Sequence, residues 1–494
     1  MAAAQDLFDL IKSLTRNEKR HFQLHSTLQG EEKNYVRLFE AMDTMEFYDK
    51  DGILTTFEGE TFVNSLHVTE NYLYRKIMEA LRAFNEANDK EAQIYSLLTQ
   101  SNIMEAKGFY KLALDSLYKA EKLAIKYSKQ LALIDIAIKK IPIIGAIETR
   151  DLVEKTENVF EEAFQYLANI QEELYYRQQN QWMFLMFRKW RSPRNENVLE
   201  EMHKRFADFE QAAFPEKGTF YSQYYYYAAR YAYYYTLQAY DQSLKAEAKV
   251  VEIWERHPDM IAAYTQKYMV QLANYISNAI MCKEYVLAAE IIDRMGGLKT
   301  QSFDEEGEQF QNVYFYKHLS LLNQEKFEAC KSLVPEIAAG LEKYKLKINP
   351  ARRLTFFYNI TLVYFITECY SEAADWLDKI LIITRNDEPR KDIQQFARVL
   401  QLAIYYKLSS NEVLEYMFRS VYRNKELKAS MSDFELVVLK YFKKLLKVHP
   451  DSKEAKALFV KLMTALEEMK EKELKTLGYE AFCIWTRLMV GDKA

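Results

Sequence analysis

Glycine and proline are the residues this chain is poorest in, at 12 and 8 among 494, where ~7% and ~5% are typical. Both punctuate turns and strand ends, so the chain is expected to consist almost wholly of long helices. The scarcity also excludes chemistry. Loops that press backbone against a phosphate need clustered glycines. Here the one Gly-Gly pair is Gly296-Gly297, and neither GxGxxG, GxxxxGK[ST] nor GxSxG occurs.

Other absences narrow the class further. Cys282, Cys330, Cys369 and Cys483 are scattered without a CxxC pair, which points to free thiols in a reducing compartment. The most apolar stretch, residues 131–147, is interrupted by Asp135, Lys139 and Lys140, too early for a membrane span. Asp6 and Asp9 stand where a signal peptide would be apolar. A cytoplasmic protein is expected. The formal charge of −4 argues against a dominant nucleic-acid surface, which needs a net basic face to displace counterions.

What the chain does hold is enough apolar material for a core, 49% hydrophobic against 28% charged, and a recurring phrase. An aromatic, two residues and a small residue open a helical run at Tyr110-Lys-Leu-Ala113, Tyr285-Val-Leu-Ala288, Phe327-Glu-Ala-Cys330 and Tyr370-Ser-Glu-Ala373, with weaker echoes at Tyr240, Val413 and Ala455. From 240 onward the steps are 45, 42, 43, 43 and 42 residues. A fixed period of this size marks a helical-repeat solenoid, in which each unit buries its apolar face against its neighbours. Gly108 is expected to supply the left-handed residue between the first clear pair, residues 94–106 and 110–127.

Residues 1–88 lack the phrase and read as a separate N-terminal helical domain. Helices are expected over 6–14, from Thr15-Arg-Asn-Glu18 with its capping-box spacing, and over 35–45. A looser segment over 48–60 turns at Asp51-Gly52, and two helices follow over 62–66 and 69–84, the second capped by Thr69. Residues 89–494 read as the solenoid. The segment 151–215 fits the period worst and reads as long helices with a diverged or inserted pair. Breaks are expected at Ser192-Pro193, residues 214–218, His257-Pro258, Gly296-Gly297, Asn349-Pro350, residues 387–389 and His449-Pro450. Residues 467–475 suit a polar capping end.

The phrase carries a resemblance. Gly108-Phe-Tyr110-Lys-Leu-Ala113-Leu-Asp-Ser-Leu117-Tyr-Lys-Ala120 resembles the second helix of a tetratricopeptide repeat, and residues 357–380 match it with Tyr364, Tyr370, Ala373, Leu377 and Ile380. The period of about 43 departs from the 34 of that family. The N-terminal phrase Ser13-Leu-Thr-Arg-Asn-Glu-Lys-Arg20-His-Phe, with Lys33-Asn-Tyr35 and Glu70-Asn-Tyr-Leu-Tyr74, is similar to an uncharacterised bacterial family of helical-repeat proteins. The resemblance implies an all-α fold, an α-α superhelix of antiparallel pairs, with a concave face lined by the first helix of each pair. Asn274, Asn278 and Asn359 lie on such helices and would grip a partner's backbone, or serve as surface residues.

A Tyr-rich helix adds a second candidate. Tyr224, Tyr227, Tyr231 and Tyr234 form one stripe and Tyr226, Tyr233 and Tyr240 another, either as core or as an aromatic floor for a ligand. Arg188, Lys189, Arg191 and Arg194 around Trp190 make the densest basic spot. Metal chemistry has little to build on. His21 and His25 share a helix face with Glu18, and Glu200 and His203 repeat the Glu-x-x-His spacing, but no matching carboxylates accompany them. No catalytic residue, cofactor or metal is expected.

The function expected is a non-enzymatic scaffold that presents a groove to a protein or peptide partner. A rival reading takes residues 62–77 as a helix-turn-helix, with the turn at His67 and with Asn71, Tyr74, Arg75 and Lys76 on its second helix, the head of a cytoplasmic transcription regulator.

Overall fold

The computed structural model describes residues 4–27, 34–147, 151–190, 196–211, 213–345, 347–382, 390–408, 411–424, 428–474 and 476–491. The chain is 84% helical, and no strand occurs among the described residues, so the all-α class holds. It divides into two compact units, Met1–Ala229 with His257–Ala263, and Arg230–Arg256 with Tyr264–Ala494.

In the first unit, residues Leu7 to Ala80 share one core around Phe22, Phe39 and Leu73. The capping box forms as its spacing implies: Thr15 N–H donates to Glu18 Oε2 at 2.7 Å and Glu18 N–H to Thr15 Oγ1 at 3.2 Å. The looser segment expected over 48–60 is instead helical over Lys50–Thr56. Asp49 caps it by accepting from Gly52 N–H, so Asp51 and Gly52 stand in the first helical turn and make no chain reversal. Hairpins of helices follow: Lys90–Ala106 on Tyr110–Lys126, then Gln130–Ala146 on Leu152–Trp190. The poorly periodic segment holds one helix of 39 residues, Leu152–Trp190, and a second, Glu196–Glu210.

One turn recurs through both units. At each strong copy of the phrase, and at Tyr240, the residue two before the aromatic is left-handed: Gly108, Gln238, Lys283, Glu325 and Glu368, with φ between 56° and 78°. The next residue donates its N–H five positions back, from Phe109 to Met104, Ala239 to Tyr234, Glu284 to Ala279, Lys326 to Leu321 and Cys369 to Tyr364, at 2.8–3.0 Å. This is a Schellman closure of the first helix, and the aromatic is then the first residue of the second. Ser128 and Lys129 build the same turn before Gln130. Gly108 is left-handed as its place between the first pair implies, while the other copies put Ser, Gln, Lys or Glu in the same conformation. Val413 and Ala455 lie inside the helices Asn411–Arg423 and Lys453–Glu468, so those echoes lack the turn.

The small residue of the phrase is wholly buried in the five copies that carry the turn: Ala113, Ser243, Ala288, Cys330 and Ala373 are all 0% exposed. In the second unit the helices stack in order from Tyr240–Glu255 to Lys453–Glu468, each against the next one or two. The far end departs from the expectation of a polar cap. Beyond the short polar helix Lys470–Glu473, the helix Tyr479–Val490 folds back onto Pro350–Ile366 and buries Trp485 among Phe365, Phe442, Phe459 and Phe482. The breaks expected at residues 192–193 and 387–389 lie outside the described residues; those at His257-Pro258, Gly296-Gly297, Asn349-Pro350 and His449-Pro450 fall between helices.

Candidate binding face

In the second unit the first helices of successive pairs are Thr265–Met281, Phe303–Asn323 and Pro350–Ile366. Because the turn that follows each is the same, residues at one distance before the aromatic occupy equivalent places. Eleven positions before Tyr285, Phe327 and Tyr370 stand Asn274, Tyr316 and Asn359. Asn274 and Tyr316 are half-buried, and Asn359 is buried.

Tyr316 neighbours a cationic corner. The Arg352 guanidinium lies 3.7 Å from the Phe315 ring centroid and beside the Tyr316 hydroxyl. It has no ion pair with any described carboxylate. Burial, with Arg390 nearby, lowers the Arg352 pKa from its ordinary value, yet a guanidinium stays charged at neutral pH. Arg390 is already held by Asp392, with Nε and Nη2 donating at 2.9 Å, and by Thr355 at 3.0 Å. Arg353 Nε is buried without a partner, and the first turn of this helix holds no acidic residue. The corner thus has more positive charge than its own side chains neutralise. A carboxylate is the group a stacked guanidinium of this kind receives best.

Tyr235 connects this corner to a buried polar cluster. It neighbours Tyr316 on one side and Tyr231 on the other, and Tyr231 in turn faces Glu247 and Asn278. Glu247 is 0% exposed, and neither carboxylate oxygen has a hydrogen-bond partner. Burial raises its pKa well above the usual carboxylate range, since nothing nearby repays the loss of water around the charged form. Asn278 is fully buried, with Nδ2 donating to Asn274 O at 3.1 Å and Oδ1 unpartnered. Burial, and secondarily Glu247, raises the Tyr231 pKa. Sequence reasoning missed Glu247, Tyr235, Tyr316 and Arg352. The signal for Glu247 was present: four positions after the small residue the other copies carry Leu117, Ile292, Val334 and Leu377.

The expected Tyr stripe is placed as follows. The Phe220–Thr236 helix buries Tyr226 and Tyr233 and leaves Tyr224, Tyr227, Tyr231 and Tyr234 half-buried. In the first unit, Tyr224 stacks parallel to Phe220 at 6.2 Å, and Tyr227 packs on Phe214 and Tyr226. In the second, Tyr231 meets Tyr235 at 5.6 Å and Tyr234 meets Tyr233 at 5.4 Å. Arg188 and Lys189 end the long helix exposed; Arg191 and Arg194 lie outside the described residues.

The helix-turn-helix geometry does not form. A 3₁₀ turn over Thr61–Ser65 passes directly into one helix, Leu66–Asn88. His67 and Val68 are in its first turn, and Thr69 is not a cap. Leu66, Leu73, Ile77 and Ala80 make a single apolar stripe against the N-terminal core, which rewards an unbroken helix. Asn71 bonds back to His67 O at 2.8 Å, Tyr74 packs on the core, Lys76 pairs with Glu79 at 2.6 Å, and Arg75 is exposed over Tyr72.

His21 and His25 stack at 6.3 Å, and His21 meets the Phe84 ring edge at 5.4 Å. Among the described residues no group of three or more His, Cys, Asp or Glu is placed to hold a metal. All four cysteines are free, and burial pushes the Cys330 thiol up to about 12. No helix among the described residues is long and apolar enough to cross a membrane. Comparisons with family models, with curated proteins and with solved structures give no match to this chain.

Proposed function

We propose that this protein is a non-enzymatic scaffold whose tetratricopeptide-like helix pairs present a concave groove to a peptide or protein segment. The observation that carries the reading is the corner at Arg352. A half-buried guanidinium, stacked on Phe315 and paired with no described carboxylate, borders Tyr316, which neighbours Tyr235 and through it Tyr231. Of the equivalent positions on successive helices, Asn274 and Tyr316 are half-buried and offer an amide and a hydroxyl, the types that hold an extended backbone, while Asn359 is buried beneath them in the same register. The partner segment would place an acidic side chain or a terminal carboxylate on Arg352. The free thiols support a cytoplasmic setting.

A peptide array probed with the purified protein tests the proposal, followed by titration calorimetry of the best binder. Arg352→Ala is expected to weaken binding about tenfold or more, since a charge-assisted bidentate bond is lost. Tyr316→Phe, which keeps the ring, should weaken it less. Equal affinity of wild type and Arg352→Ala for every captured peptide would remove the groove reading.

A further inference from the structure

The repeat fades where the chain makes its longest helix, and that helix wears an apolar stripe. Leu152–Trp190 spans 39 residues, about 58 Å at 1.5 Å per residue. Its inner side is anchored by Val159, Tyr176, Met183 and Met186. Outward it shows Val153, Phe160, Phe164, Leu167, Leu174 and Leu185, with Val153 and Phe164 70% and 68% exposed; Tyr175 and Phe184 are exposed as well, outside the band these six form. These are not scattered. Val153, Phe160, Leu167 and Leu174 stand seven apart, and Phe164 and Leu185 lie on a second row with Gln171 and Gln178 between them. At ~100° per residue the six fall within a band of roughly 80°, the width of a helix-pairing seam. Single exposed apolar residues are ordinary; a contiguous band along a whole helix marks an interface.

The charge pattern says what covers it. Residues 152–173 hold Glu154, Glu157, Glu161, Glu162, Glu172 and Glu173 against Lys155 alone, whereas residues 174–190 hold Arg177, Arg188 and Lys189 and no acid. A parallel pair of such helices would set glutamates against glutamates. An antiparallel pair sets each acidic half along the other's basic half and opposes the helix dipoles favourably. It also places Val153 of one copy by Leu185 of the other, and Phe164 by Leu174. The self-complementarity is that of a two-fold contact, which closes and leaves no free end.

We infer that two copies of this chain pair antiparallel through the Leu152–Trp190 helix. Light scattering on the full-length protein is the first test: a mass near twice 58.6 kDa is expected at micromolar concentration. Phe164→Glu with Leu167→Glu should give a monomer of unchanged circular dichroism, because both side chains are exposed. Orientation is read by mild oxidation against wild type. Gln171→Cys, near the two-fold axis, should cross-link to its own copy, while Val153→Cys, at the helix end, should not. A monomer at all concentrations overturns the inference, as does a dimer that survives the double glutamate variant. Cross-linking of Val153→Cys to itself overturns the antiparallel arrangement.

Discussion

Thr219 donates its hydroxyl to the Glu173 carboxylate at 2.5 Å, tying the middle of the 39-residue helix to the residue that caps the Tyr-rich helix. Gln223 Nε2 secures the same loop through the carbonyls of Pro215, Glu216 and Gly218. Burial raises the Glu173 pKa from 4.5 to about 7, partly offset by the bond from Thr219.

That pair sets a pH dependence. An acid whose pKa is raised on folding binds a proton in the folded chain that the unfolded chain has lost. Its contribution is therefore fully present below pH 4.5 and is lost as pH rises to about 7. The span corresponds to about 2 kcal/mol after allowance for solvent screening. Glu173→Gln keeps an oxygen for Thr219 and should flatten urea-melt stability across this window. An unchanged slope would show that Glu173 titrates normally.

The left-handed turns offer a gain in stability. Lys283, Glu325 and Glu368 occupy a conformation that disfavours a side chain, by about 1 kcal/mol each. Replacing any of them with Gly should raise stability by ~0.5–1 kcal/mol, the entropy of the unfolded chain taking back part of the relief. Gly108→Ala should lose a similar amount. Thermal melts of the four single variants suffice, and a loss at Lys283→Gly would contradict the turn geometry.

Glu247 is expected to destabilise the repeat that holds it. Glu247→Leu restores the residue type of the other copies and removes an unpartnered buried acid, worth ~1–3 kcal/mol. Because the folded pKa is raised, the unfolded chain ionises first and the penalty grows as pH rises above 4.5. The gain from Glu247→Leu should accordingly be larger at pH 8 than at pH 5 in matched urea melts. A gain independent of pH would mean the carboxyl is ionised in place.

Gly478 admits no side chain. It is left-handed at φ +82°, and a Cβ there would stand 1.9 Å from Phe396 Cζ. Gly478→Ala should cost about 3 kcal/mol or more, from overpacking and backbone strain together. The loss should appear in the helix Tyr479–Val490, whose amide protons would exchange faster. Near-native exchange there would show that Phe396 moves aside freely.

Much of the helical frame was legible because it is local. The capping box at Thr15–Glu18, the hairpin at Gly108 and the buried small residues at 113, 288, 330 and 373 follow from spacing and side-chain size. The candidate face was legible only in part. Asn274, Asn278 and Asn359 were readable as residues of the first helices, but Tyr235, Tyr316 and Arg352 come together through packing of helices far apart in the chain. The helix-turn-helix reading failed for the same reason, since one apolar stripe on the N-terminal core outweighed a weak local turn signal.

The sequence by itself determined that this chain is all helical and that its helices recur at a period near 43, because poverty in glycine and proline and a repeated apolar spacing act within one or two turns of helix. Tertiary structure alone decided that a non-glycine residue turns left at four copies of the phrase, that Glu247 is sealed from water, that Arg352 meets no described carboxylate, and that Trp485 is buried among the aromatic side chains of the last helices. Each of these depends on which distant atoms surround a residue, and no pattern along the chain carries that information.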